Sequence, residues 1–245
     1  MADLTERRRT MMLMSRGGGR DTLMEAINGT LSGDLVIEAT TASQLNNVDM
    51  YRALFYRCPI TSLRWNVVRK IPGSLCQACT QLKTATVYGE FGGDSAFNGC
   101  TALESVELPT LSGEKFNYSW AGIRMFSGCR ALKSVSMPHA PTVQEYMFSD
   151  CTALTMLDLP AVTRIRQGAF NSCTALNVLI LRADSVCTLE HINAFWNSPF
   201  ASGKTGGTLY VKSAQLEGYQ AAANWSTILG YASNNILPIE GSPYE

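Results

Sequence analysis

The chain has 245 residues, 16% of them charged and 46% hydrophobic. That is too apolar for a disordered polymer and long enough to bury a sizeable core. Lys and Arg together number 20, as do Asp and Glu, so no global charge argues for a nucleic-acid partner.

Residues 1–20 carry Arg7, Arg8, Arg9, Arg16 and Arg20 against Asp3 and Glu6, a local charge of +3. Asp3 to Ser15 has the length of a short helix, and Arg16-Gly17-Gly18-Gly19-Arg20 is a flexible break. Residues 1–32 therefore read either as a solvated tail or as a docking segment. The apolar run after the arginines is only Met11-Met12-Leu13-Met14. A secretory leader needs roughly 7–15 apolar residues, and a membrane span roughly 18–20. Neither is expected, which favours a location inside the cell over classical secretion. Leu35-Val36-Ile37 reads as a first strand, and Thr40 to Tyr56 as the turn or helix that follows it.

From there a repeat takes over. Cysteines at 58, 79, 100, 129, 151 and 173 form a ladder with steps of 21, 21, 29, 22 and 22. Three residues before each stand Phe55, Cys76, Phe97, Phe126, Phe148 and Phe170, and Leu82, Leu103, Leu132, Leu154 and Leu176 stand three after the last five. Positions six and eight after the Cys are apolar, from Ala85 and Val87 to Leu179 and Leu181, with outward neighbours between them. That alternation is a short strand. Pro109, Pro138 and Pro160 then end three of the strands, because proline cannot continue an interior ladder. The i, i+3, i+6 spacing of Phe, Cys and Leu suits a tight helical or 3₁₀ turn. One such unit cannot bury its apolar face alone, so the units must stack with like residues above like. The first unit, Cys58-Pro59-Ile60-Thr61-Ser62-Leu63, is one residue short.

The 29-residue step holds an insertion between Pro109 and Phe126 with Phe116, Tyr118 and Trp120 among Asn and Ser. Such rings are either folded back on the core or used as binding anchors. In a second aromatic loop, Phe195 to Phe200, Phe195 fits the Phe slot and Trp196 is left as the exposed ring. Thr208 to Val211 reads as a last strand. Ser213 then N-caps a helix over Gln215–Ala223, and Trp225, Ile228 and Leu229 fold over the last coil. The expected organisation is a tail over 1–32, a solenoid over 33–212 and a C-terminal cap over 213–245.

No catalytic constellation is visible. Ladder cysteines fit a role as small buried hydrophobes. Cys76-Gln77-Ala78-Cys79 has C-x-x-C spacing, but no second pair or paired His completes a metal site. Cys187 lies off the ladder and reads as a free cysteine. His139 and His191 stand beside no nucleophile with an orienting acid, and Gly17-Gly18-Gly19 lacks the Lys-Ser/Thr of a phosphate loop. No enzyme activity, cofactor or metal is expected.

The stretch Phe97-Asn98-Gly99-Cys100-Thr101-Ala102-Leu103-Glu104-Ser105-Val106-Glu107-Leu108-Pro109, repeated from Phe148 to Pro160 and from Phe170 to Leu181, resembles the BspA-like leucine-rich repeats. The resemblance covers about residues 53–212. It implies an α/β repeat fold: a right-handed leucine-rich-repeat solenoid with short parallel strands and a C-terminal helical cap. It also implies a binding role, since the family occurs in bacterial surface proteins, adhesins and proteins of phage-like origin. By the same resemblance the concave sheet face is the usual binding surface. Its outward columns are Thr84, Ser105, Ser134, Met156, Val178 and Thr86, Glu107, Ser136, Asp158, Ile180. Met156, Val178 and Ile180 form an exposed apolar patch there, unless the cap or loops cover them. The expected binding residues are Glu107, Ser136, Met156, Asp158 and Ile180 on this face, Phe116, Tyr118 and Trp120 on the insertion, and Trp196. The expected partner is a protein or a cell-surface glycan. A structural part of a larger assembly, such as a phage particle entered through residues 1–32, is the alternative and makes the chain virion-associated.

Overall fold

The computed structural model describes residues 33–37, 53–90, 93–112, 121–201, 204, 206–230 and 235–245. The tail over 1–32, most of the expected turn over 40–56 and the insertion rings Phe116, Tyr118 and Trp120 lie outside the described residues. The strands are β1 (Gly33–Ile37), β2 (Ile60–Lys70), β3 (Thr84–Glu90), β4 (Ser105–Glu107), β5 (Ser134–Ser136), β6 (Thr142–Val143), β7 (Met156–Leu159), β8 (Arg164–Ile165), β9 (Val178–Leu181), β10 (Thr188–Leu189), β11 (Thr208–Val211) and β12 (Asn235–Pro238). Every pairing is parallel, in the orders β1-β2-β3-β4-β5, β7-β9-β11-β12 and β6-β8-β10. The result is a parallel β-solenoid of about seven turns.

Strand length follows the prolines. β4, β5 and β7 have 3, 3 and 4 residues and stop at or before Pro109, Pro138 and Pro160. β2 and β3 have no proline at that position and run for 11 and 7 residues. β12 was not expected. Its Asn-Ile-Leu-Pro pairs with β11 in register, Leu209 with Ile236 and Tyr210 with Leu237, so the sheet continues past residue 212.

The Phe-x-x-Cys stretch is a chain of tight turns rather than a helix. The residue before each ladder Cys has positive φ: Arg57 (58°), Ala78 (60°), Gly99 (74°), Gly128 (76°), Asp150 (60°) and Ser172 (58°). Residues without branching at Cβ fill that slot, and two of the six are Gly, because this region costs an L-residue roughly 1–2 kcal/mol. The kinked backbone points its N–H groups at the next coil. Phe55 donates to Leu75, Cys76 to Ala96, Phe97 to Met125, Phe126 to Met147, Phe148 to Ala169 and Phe170 to Ala194, at 2.7–2.9 Å. This ladder runs across the break between β5 and β7, where no strand pairing joins the two sheets.

The ladder cysteines do more than fill space. Each Cys N–H donates to the carbonyl three residues back, as Cys100 does to Phe97 at 3.1 Å. The same carbonyl then accepts the thiol of the next coil. Cys79 Sγ donates to the Phe55 oxygen (2.8 Å), Cys100 to Cys76 (2.9 Å), Cys129 to Phe97 (3.1 Å), Cys151 to Phe126 (3.2 Å) and Cys173 to Phe148 (2.9 Å). Burial pushes the Cys129 and Cys173 thiols up to about 12, so they stay protonated and able to donate. Beside them the rings of Phe97, Phe126, Phe148, Phe170 and Phe195 stack, with centroids 5.1–5.6 Å apart. In the last coil Ser198 occupies the Cys slot, and its hydroxyl turns back to the Phe195 oxygen at 2.7 Å.

The far end is closed by α1 (Leu216–Ala221) and α2 (Trp225–Gly230), preceded by a 3₁₀ turn at Ser213–Gln215. Ser213 is not the N-cap expected of it. Its N–H and hydroxyl both donate to the Glu240 carboxylate, at 3.0 and 2.7 Å, tying the turn to the segment after β12. Cys187 is a free cysteine, as its place off the ladder suggested; it is buried, and its backbone anchors the cap. Its N–H donates to Tyr219 Oη (2.9 Å), and its carbonyl accepts Trp225 Nε1–H (2.6 Å). Trp225 meets the end of the ring stack at Phe195, 6.0 Å away.

Two predictions follow from this register. Leu157 is 1% exposed and its neighbour Asp158 faces outward. Leu157→Asp is expected to unfold the protein, by burying a charge without a partner, whereas Asp158→Ala costs about 1 kcal/mol. Equal losses in chemical denaturation would refute the register. For the thiols, Cys151→Ser keeps a donor and is expected to be more stable than Cys151→Ala by about 1 kcal/mol. A purely hydrophobic role for the slot gives the opposite order in the same measurement.

Candidate functional site

Period-2 alternation sends every second strand residue out of the sheet, and the parallel register aligns them in two columns. One column runs Ser62, Thr84, Ser105, Ser134 and, beyond the break, Met156, Val178, Thr208 and Asn235. The other runs Arg64, Thr86, Glu107, Ser136, then Asp158, Ile180, Tyr210 and Leu237. The sequence had supplied the central five of each column. The ends were missed because the first unit is a residue short and β12 lacks a preceding Phe/Cys/Leu register. The alternation of Ile236 and Pro238 with exposed neighbours was the available signal.

The face changes character along its length. From β3 to β5 it is hydroxyl-rich and open, with Thr84, Glu107, Ser134 and Ser136 exposed and Thr86 half-buried. Thr86 Oγ1 donates to Glu107 Oε2 at 3.4 Å. Beside the columns Lys133 bridges to Glu104 at 2.9 Å, and that contact lowers the Glu104 carboxyl from its ordinary range. Beyond the break more of the face is apolar, with Met156, Val178, Ile180 and Leu237 set among Asp158, Thr208 and Asn235. Met156 is 42% exposed, as expected of it. Asp158 is half-buried, its two oxygens each 3.0 Å from Arg182 Nε.

Ile180 departs from the expectation. It points outward by register yet is only 1% exposed. Its neighbours across the sheet are Asp158 and Tyr210. Arg182 holds Asp158 and donates from Nη2 to the Tyr244 carbonyl at 2.6 Å, and the Tyr244 ring stands edge-on to Tyr210 with centroids 4.9 Å apart. A continuous bridge therefore runs from one neighbour of Ile180 to the other, and Ile180 is not part of the open surface.

Trp196 is 64% exposed while Phe195 fills the Phe slot. Trp196 sits in the turn column, however, two residues before the Cys slot, in the place that Asn98 and Asn171 take in earlier coils. It does not share a face with Glu107, Ser136, Met156 and Asp158. The insertion rings Phe116, Tyr118 and Trp120 lie outside the described residues, so the structure brings them to no stated place.

Other chemistry resolves into structural roles. His191 Nδ1 accepts the Asn193 N–H at 3.0 Å and caps the 3₁₀ turn at Ile192–Phe195. His139 is exposed in the turn after Pro138. Cys76 and Cys79 are both buried. Burial holds the Cys76 thiol well above its ordinary value, while a hydrogen bond with Cys76 lowers Cys79. Among the described residues no group of three or more His, Cys, Asp or Glu is placed to hold a metal. No helix among them is long and apolar enough to cross a membrane.

Comparison with known proteins agrees with this architecture. The BspA type Leucine rich repeat region matches in six copies, over residues 38–119 and 93–203. A leucine-rich repeat protein from Bacteroides ovatus has a similar structure, with a TM-score of 0.48 and 17% identity over 85% of this chain and 46% of its own. This chain thus spans less than half of that protein. A leucine rich cell surface protein from Faecalibacterium prausnitzii gives a TM-score of 0.31 and 12% identity, over 74% of this chain and 72% of its own. No curated protein matches the chain. The repeat family suggests a binding or structural repeat module. With more than half of its residues matched, the chain belongs to the BspA-type leucine-rich repeat family.

Proposed function

We propose that the chain is a non-catalytic binding module that recognises a protein or a glycan through the outward face of its sheet. The observation that carries the reading is the open stretch from β3 to β7. There the parallel strands β3 to β5 present Thr84, Glu107, Ser134 and Ser136 to solvent, and β7, across the break, presents Met156. The coils repeat at about 4.8 Å, so hydroxyls and a carboxylate stand in rows that fit an extended polar ligand. The core takes only the inward side chains, which leaves these positions free to vary with the partner. The aromatic insertion at Phe116, Tyr118 and Trp120 adds anchors of the kind binding hot spots use, and Trp196 supplies a further ring on the turn side.

A second reading is a structural component of a larger assembly, such as a phage particle, docked through residues 1–32. The charge of +3 over residues 1–20 favours it, since a basic segment pairs readily with an acidic surface.

Binding of fluorescently labelled protein to bacterial cells separates the two. A Ser134→Arg/Ser136→Arg variant and a Phe116→Ala/Tyr118→Ala/Trp120→Ala variant, each with an unchanged melting temperature, are expected to bind at least ten-fold more weakly than wild type (about 1.4 kcal/mol). Equal binding by all three, or by none, overturns the sheet-face reading. Deletion of residues 1–32 leaves binding intact in the first reading and abolishes assembly in the second.

A further inference from the structure

The covered end of the sheet face is built differently from its open end. Around Ile180 the outward residues include Val178, Tyr210 and Leu237, set among Asp158, Thr208 and Asn235. The segment after β12 lies over this floor. That segment shapes itself: Ser242 N–H donates to the Ile239 oxygen (3.0 Å), Tyr244 N–H to Ser242 Oγ (3.1 Å), and Gly241 N–H to Glu245 Oε2 (3.0 Å). Gly241 takes the turn with φ 76°. Two contacts bind the loop tip to the sheet: the Tyr244 ring on Tyr210, and the Tyr244 carbonyl on Arg182. Asp158 holds Arg182 in place for the second.

The loop does not cover the whole apolar floor. Met156 on one side and Leu237 on the other remain 42% exposed. These shoulders are apolar surface that a larger occupant would bury, at about 25 cal/mol per Å². The geometry points to a recognition site for a protein segment that presents a tyrosine ring beside an unpaired backbone carbonyl, occupied in the resting chain by its own residues 241–245. Arg182 reads the carbonyl through a charge-assisted hydrogen bond. Tyr210 and Ile180 receive the ring, and Met156 and Leu237 take apolar residues that flank it. A tethered occupant acts at high effective concentration, so the site opens to partners that bury these shoulders as well. This inference rests on the sheet-face reading and names the partner at its apolar end.

The test uses the whole chain and the acetylated, amidated peptide Gly-Ser-Pro-Tyr-Glu, followed by NMR of the Ile180 and Val178 methyl groups. In Tyr244→Ala the peptide is expected to shift these methyls saturably, at least ten-fold more tightly than in wild type. The Gly-Ser-Pro-Ala-Glu peptide, or Arg182→Ala added to Tyr244→Ala, is expected to remove the effect. If Tyr244→Ala lowers the melting temperature too far, Ser242→Ala loosens the loop from within and is read in the same way. Methyls unmoved at millimolar peptide in a folded variant would overturn the proposal. So would concentration-dependent dimerisation of wild type that Tyr244→Ala abolishes, because the occupant would then be a second copy. Cell binding that depends on Ser134 and Ser136 while the peptide fails leaves the sheet-face reading standing and removes only this inference.

Discussion

From Phe55 to Phe148 the carbonyl oxygen of each Phe-slot residue accepts two hydrogen bonds, and the stack depends on them. One comes from the Cys N–H of the same coil and closes the turn. The other comes from the Cys thiol of the next coil and sets the height at which that coil sits. A carbonyl has two lone pairs, so both are used and little polarity is left unpaired in the core. The side chain at this slot need not be aromatic, since Cys76 serves as well as Phe55. Cysteine suits the second slot because it is small, prefers burial and still carries a donor. At Cys100, Cys129, Cys151 and Cys173 burial also keeps it a thiol, by making the charged form costly.

Two kinds of ladder then divide the labour. On the turn side, backbone N–H groups kinked by positive-φ residues link each coil to the next without interruption, from Ala53 to Trp196. On the strand side, pairing holds between β4 and β5, which flank the insertion, and breaks one step later, between β5 and β7. The stack survives because the rings of Phe126 and Phe148 and the thiol of Cys151 span the same gap. In a structure where each coil touches only its neighbours, such redundancy lets one side break its ladder while the other keeps the spacing.

That arrangement leaves the outward sheet face free of structural duty along most of its length. Its polar half carries side chains that the core does not need. Its apolar half is engaged by the chain itself, through Asp158, Arg182, Tyr244 and Tyr210. Exposed ion pairs elsewhere, such as Arg164 with Glu190 at 3.4 Å, contribute little to stability. The Asp158–Arg182 pair differs in having a third partner, the Tyr244 carbonyl, which turns a surface contact into an orienting one.

The repeat, its register and its core were legible in the sequence, because stacking identical units forces identical residues to recur at a fixed period. The strand ends were legible from Pro109, Pro138 and Pro160, because a missing N–H acts locally. The positive-φ slot had a signal too, in the Arg57, Ala78, Gly99, Gly128, Asp150 and Ser172 series, but a turn read as helical hides it. What the sequence could not settle were contacts between residues far apart in the chain. The thiol-to-carbonyl bonds join residues 24–32 positions apart, and Arg182 meets Tyr244 across 62. Periodicity places Ile180 on the outward face. Only the tertiary fold decided that residues from the far end of the chain bury it, because a column position fixes a side chain's direction and not what lies over it.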